Sequence, residues 1–234
     1  MKILVTGAAG YIGSILTPML LKSGHSVIAL DNLMYNQEPP LVNCCFYPGF
    51  EPRRGDARNE QTVSELIKKV DGIIPLAAIV GEPACNQDQI AATTVNLEAV
   101  KLILKLRSAD QIVIYPNTNS GYGIGQEGIY CTEETPLRPI SHYGRTKVQA
   151  EEAVLSAGNA ISFRLGTVAG LSPRLRLDLM INEFVYRALT DRCVTLYEAK
   201  FKRNFLHIRD AAKAFIHAIE NFDSMKDQAY NVGQ

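Results

Sequence analysis

KILVTGAAGYIGSILTPMLLKSGHSVIALD, residues Lys2 to Asp31, decides the fold. A strand-like apolar run, Lys2–Thr6, leads straight into Gly7, Gly10 and Gly13. A helical pattern over Tyr11–Ser23 follows, closed by Gly24, where a helix C-terminal glycine belongs. A second apolar run, Ser26–Leu30, then ends on Asp31. The three glycines permit a tight turn, close approach of backbone to a pyrophosphate, and packing of helix on strand. The helix N-terminus offers free N–H groups and the positive end of its dipole to phosphates. Asp31, at the tip of the second strand, accepts hydrogen bonds from a ribose diol and repels a 2′-phosphate. The expected cofactor is therefore NAD rather than NADP.

Working outward, the same alternation of apolar runs and helical patterns continues. Strand-like runs fall at Gly72–Leu76, Gln111–Tyr115, Ala160–Leu165 and Ala229–Val232. Helical patterns fall at Asn59–Val70, Thr94–Ser108, Tyr143–Ser156 and Arg209–Asn221. Such alternation predicts an α/β fold with a doubly wound parallel sheet, with ligands at the carboxyl ends of its strands. Two stretches interrupt it. Leu33–Arg54, with four prolines, reads as a long loop covering a short third strand, and Val168–Phe205 holds a helix around Asp178–Thr190.

Composition narrows the possible functions. The 234 residues are 47% hydrophobic and 21% charged, enough to bury a substantial core. Twenty-four basic and 24 acidic residues cancel, so no net field draws the chain to nucleic acid or membrane. There is no apolar run of membrane-spanning length and no signal peptide before the first strand, so a cytoplasmic location is expected. The five cysteines, at 44, 45, 85, 131 and 193, fit no zinc spacing and read as reduced thiols. Four scattered histidines assemble no metal site.

A second constellation carries chemistry. Tyr143-Gly-Arg-Thr-Lys147 places a phenol and an ammonium on one face of a helix. A phenol, with a reference pKa of about 10, is a poor base at neutral pH unless a nearby cation favours its phenolate. The pair opens the helix that follows the 111–115 strand, where a residue can face a cofactor bound at the strand ends.

With these motifs in place, the chain resembles the nucleotide-sugar epimerase/dehydratase family of extended short-chain dehydrogenases/reductases over essentially its whole length. The resemblance implies a Rossmann domain over residues 1–167, its last helix and strand returning at 207–234. It also implies a small, incomplete substrate-binding lobe at 168–206, completed by residues past 234. Gly55-Asp56-Ala57-Arg58 resembles the family segment whose acid meets adenine, and Leu76-Ala77-Ala78 the segment under the ribose and pyrophosphate. Asn96 matches a family asparagine beside the active site. Tyr11, Ile12, Asn32 and Leu165 complete the implied cofactor contacts. Within Tyr115–Gly123 the family's catalytic hydroxyl falls on Thr118, with Ser120 the lesser candidate. Arg203-Asn-Phe-Leu-His-Ile-Arg-Asp210 resembles the segment whose first arginine grips the substrate diphosphate, a geometry suited to a guanidinium fork. His207 and Asp210 read as structural. Arg174 and Arg176 are further candidate substrate contacts, as is Thr167, which stands where many epimerases have asparagine.

The family's reactions begin alike. Tyr143 takes the proton of the sugar C4 hydroxyl, Thr118 polarises the same oxygen, and hydride passes from C4 to NAD. In 4,6-dehydratases an Asp-Glu pair follows the threonine; here those positions are Asn119 and Ser120, which cannot serve as general acid or base. Epimerisation and net C4 oxidation remain. The stretches Asp31–Gln37, Ile74–Gly81, Pro116–Gly125 and Ser172–Asp178 resemble the GDP-manno-heptose 4-dehydrogenase branch of bacterial capsule pathways, which favours C4 oxidation of a GDP-linked sugar. A non-catalytic NAD(H) sensor is the reading from another class. The family resemblance further implies a homodimer through Thr94–Ser108 and Tyr143–Ser156, paired as a four-helix bundle.

Overall fold

The computed structural model of the chain describes residues 1–35, 40–124, 130–196 and 202–233. Parts of the expected loop at 36–39 and of the expected lobe at 197–201 lie outside the described residues, as do Gly125 and Gln234.

The first half of the sheet grows from the opening stretch. Strand β1 (Lys2–Thr6) is followed by helix α1 (Gly13–Lys22), strand β2 (Ser26–Asp31), a 3-10 turn (Val42–Phe46) and strand β3 (Phe50–Arg54). Next come α2 (Glu60–Ile67) and β4 (Gly72–Pro75). Two short helices, α3 (Glu82–Gln87) and α4 (Gln89–Thr93), run through a π turn (Thr94–Glu98) into α5 (Ala99–Leu106). The expected single helix over 94–108 is thus a composite, and the two helices before it carried too few residues to show a periodic pattern.

The second half contains β5 (Ile112–Thr118), α6 (His142–Ser156), β6 (Ala160–Leu165), β7 (Thr167–Ala169), α7 (Met180–Thr190), β8 (Phe205–His207), α8 (Ile208–Glu220), α9 (Phe222–Met225) and β9 (Gln228–Val232). Seven strands form one sheet in the order β3-β2-β1-β4-β5-β6-β9, every pair parallel. Strands β7 and β8 pair separately. Strand order reverses between β1 and β4, and ligand crevices form at such a switch point.

Each central strand is buried on both faces, so its residues divide by parity between two cores. Ile3, Val5, Val27, Ala29, Ile114, Ile161 and Phe163 join α1 and α8 on one side. Leu4, Ile28, Leu30, Val113 and Tyr115 join α2, α5 and α6 on the other. Strand β5 runs three residues beyond the expected end at Tyr115, to Thr118. Its tip therefore delivers Asn117 and Thr118 to the sheet's carboxyl edge. Helix α7 has no buried residues.

Candidate active site

A cavity opens at the carboxyl ends of β1, β2, β4, β5 and β6. Its first wall is the glycine loop. Gly7 sits at φ +70°, a region that disfavours side chains, and a Cβ there would come within 2.6 Å of the Ala77 nitrogen. A Cβ on Gly13 would strike the carbonyl oxygens of Gly7 and Ala8. The loop is thus packed to backbone contact on the protein side, and its other side faces the cavity. No side chain caps the N-terminus of α1, and its first turn holds no acid. An uncapped, unopposed helix start beside a glycine-rich cradle fits a pyrophosphate. Asp31 lies at the cavity edge and ties this region together: its carboxylate accepts from Ala9 N at 2.9 Å and Leu33 N at 2.8 Å.

The floor and rear come from later segments. Leu76, Ala77 and Ala78 line the cavity, with Asp56, Ala57, Asn32 and Leu165. The Asp56 carboxylate is clasped by its neighbour, accepting from Arg58 Nε at 3.0 Å and Nη2 at 2.6 Å, which lowers its pKa. Asn96 requires a correction. It does not line the cavity; the π turn presents Val95 there and leaves Asn96 buried behind the 76–80 segment. Its amide accepts from Ile79 N at 2.8 Å and donates to Ile79 O at 2.9 Å, so it braces a cavity wall.

The reactive groups meet at the tip of β5. Ser141 caps α6 by accepting from Gly144 N at 3.0 Å, which sets Tyr143 in the first turn and Lys147 one turn later. Tyr143, Lys147 and Thr118 line the same cavity as the glycine loop. The Thr118 hydroxyl accepts from Ser120 N at 3.2 Å. Burial pushes the Tyr143 phenol up to about 12, with Cys85 adding to the rise; Arg176 and the Thr118 hydroxyl pull it back. Burial pushes Lys147 down to about 7, opposed by the charge of Glu151.

On the outer side, Thr167, Arg174, Arg176 and Arg203 line the cavity. The Arg174 guanidinium lies 4.1 Å from the Tyr35 ring centroid. Arg176 pairs with Asp178, its Nε donating to Oδ1 at 2.8 Å. Asn119 donates to Asn204, the residue after Arg203. Every residue singled out from sequence for a site role, Asn96 excepted, therefore lines one cavity. Sequence reasoning missed Tyr35, Val95 and Asn117 in its walls. Asn117 lay inside a quoted motif, and strand parity from Tyr115 would have found its face. All five cysteines are free, no metal-binding cluster occurs among the described residues, and no described helix is long and apolar enough to cross a membrane.

Comparison with known proteins accords with this geometry. Residues 3–233 match the family described as NAD dependent epimerase/dehydratase. UDP-glucose 4-epimerase of Corynebacterium glutamicum is 26% identical, over all of this chain and 75% of its own length. Among solved structures, UDP-glucuronic acid 4-epimerase from Bacillus cereus, in complex with UDP-glucuronic acid and NAD, superposes with a TM-score of 0.87 at 27% identity, covering 100% of this chain and 77% of its own. dTDP-glucose 4,6-dehydratase from Bacillus anthracis, in complex with NAD, gives 0.86 at 26% identity, covering 100% and 75%. The chain belongs to the NAD dependent epimerase/dehydratase family, and its cofactor is NAD.

Proposed function

For this member of the NAD dependent epimerase/dehydratase family, we propose NAD-dependent oxidation at C4 of a nucleotide-linked sugar. The observation that carries the reading is the meeting of Thr118, Tyr143 and Lys147 across one cavity from the glycine loop. When bound, NAD supplies the hydride acceptor. Gly7, Gly10, Tyr11, Ile12 and Gly13 hold its pyrophosphate, Asp31 and Asn32 its ribose, and Asp56 and Ala57 its adenine end. Thr118 holds the C4 oxygen, and Tyr143 takes its proton as base, supported by the Lys147 ammonium. Arg203 grips the diphosphate, Arg174 and Arg176 face the sugar from the lobe assigned to residues 168–206, and Thr167 faces it from the start of β7. Dehydration is disfavoured by Asn119 and Ser120, since neither titrates, and the Asn119 amide is engaged by Asn204.

The resemblance to GDP-manno-heptose 4-dehydrogenases supports a GDP-linked sugar, in bacterial polysaccharide biosynthesis in the cytoplasm, with the keto sugar released. A second reading, 4-epimerisation with the hydride returned to the opposite face, is favoured by the relatives named as UDP-sugar 4-epimerases. The test is incubation of the NAD-loaded chain with GDP-, UDP- and dTDP-sugars. Net oxidation predicts lasting absorbance of reduced nicotinamide that a 2-oxo acid discharges. A clean C4 epimer without net reduction establishes epimerisation instead, and absence of both products with every sugar overturns C4 chemistry. Pairing of the 94–108 and 143–156 helices predicts a homodimer; a monomer by light scattering at micromolar concentration counts against it.

A further inference from the structure

The face of the sheet beneath α6 holds a charged network separate from Thr118, Tyr143 and Lys147. Parallel register sets Tyr115 beside Ser162 and Asn117 beside Arg164 on β5 and β6. Glu151, one helical turn after Lys147 on α6, descends onto this square and is 2% exposed. Its Oε2 accepts from Asn117 Nδ2 and Ser162 Oγ, each at 2.6 Å. Its Oε1 accepts from Arg164 Nη2 at 2.7 Å and Nε at 3.0 Å. Arg164 is anchored in turn, donating to Tyr122 Oη at 2.9 Å and Glu133 O at 2.8 Å. Lys147 makes none of these bonds. Its Nζ lies 4.1 Å from the Tyr115 ring centroid, in the same buried layer. The Oδ1 of Asn117, a cavity-lining residue, is buried and has no hydrogen-bond partner among the described residues.

We propose that Glu151 is a positioning residue: clamped by Arg164, Asn117 and Ser162, its carboxylate holds Lys147 in the ammonium form that supports a Tyr143 phenolate. The inference rests on the reading of Tyr143 and Lys147 as the working pair. The titratable and charged groups around that pair are Glu151 on α6, Tyr115 on β5, Cys85 on α3 and Arg176 from the 170–178 segment, with Arg164 on β6 behind Glu151. Among these, Glu151 is the only carboxylate that acts on Lys147. A buried negative charge one helical turn from Lys147, screened by little water, favours its ammonium form.

The experiment is an NMR pH titration of isotope-labelled lysine in the NAD-loaded protein, the Lys147 signal being the one missing from Lys147→Met. This readout needs no sugar, so it survives failure of the C4 reading. Glu151→Gln is expected to lower the Lys147 midpoint by about one pH unit, roughly tenfold in proton affinity, and Glu151→Asp to restore most of it. Because Glu151→Gln leaves Arg164 buried and unpaired, the charge-free double variant Glu151→Gln/Arg164→Met is titrated alongside, and a smaller fall in the same direction is expected, since the opposing charge of Arg164 goes with it. An unchanged midpoint in a folded variant of either kind overturns the proposal and reduces Glu151 to a structural tie. With a turned-over sugar in hand, the alkaline limb of kcat should move down with the midpoint while KM for the sugar holds.

Discussion

The Lys147 ammonium lies 4.1 Å from the centroid of the Tyr115 ring, sealed from solvent between α6 and β5. The ring face attracts the cation, and among the described residues no carboxylate bonds Lys147 Nζ, so its charge is not spent in an ion pair. Its charge is thereby left to act on the cavity that Tyr143 faces.

Removal of the phenol oxygen should separate chemistry from binding. Tyr143→Phe is expected to lower kcat by about 10²–10⁴-fold while cofactor content is unchanged. Turnover and bound NAD are measured on the same preparation. A variant that keeps its turnover would favour a non-catalytic, NAD(H)-sensing role.

The depressed pKa of Lys147 has a defined stability signature. Folding lowers it from 10.5 to about 7, so between those values the unfolded chain binds more protons than the folded one. Stability therefore rises with pH across that window, from a penalty fully present below pH 7. Above pH 10 Tyr143, raised to about 12, acts in the opposite sense, because there the folded state retains a proton that the unfolded state has lost. Urea unfolding of wild type and Lys147→Met at neutral pH and at about pH 9 tests this: the wild type should gain relative to the variant.

Gly7→Ala places a methyl 2.6 Å from the Ala77 nitrogen at a positive φ. Both the strain and the displaced 76–78 wall act against the fold, with an expected cost of roughly 1–3 kcal/mol. NAD affinity should fall as well, because the cavity takes its shape from the same contact. Thermal unfolding and calorimetric titration with NAD measure the two effects, and retention of wild-type affinity would contradict the cradle.

Asn96→Leu leaves the N–H and C=O of Ile79 without their side-chain partner. An unpaired buried group costs about 1–3 kcal/mol, so a clear loss of stability is expected. Cofactor binding should weaken only moderately, since Asn96 stands behind the wall. A loss of NAD affinity as large as that of Gly7→Ala would mean that Asn96 contacts the cofactor directly.

Sequence by itself determined the alternating α/β order, the glycine loop with Asp31, and the Tyr143–Lys147 pair. These follow from local physics: side-chain period, turn sterics, and two groups four residues apart on one helix. Family likeness added Thr118, Arg203 and the 76–78 wall. Only the tertiary structure decided that β5 extends to Thr118, that a π turn hands Asn96's expected place to Val95, and that Glu151 and Arg164 pair beneath α6. Each of these depends on partners distant in the chain. Whether a polar side chain faces a cavity or a neighbouring strand is settled by the register of β5 on β6 and the seating of α6 upon them, for which a single sequence carries no local signal.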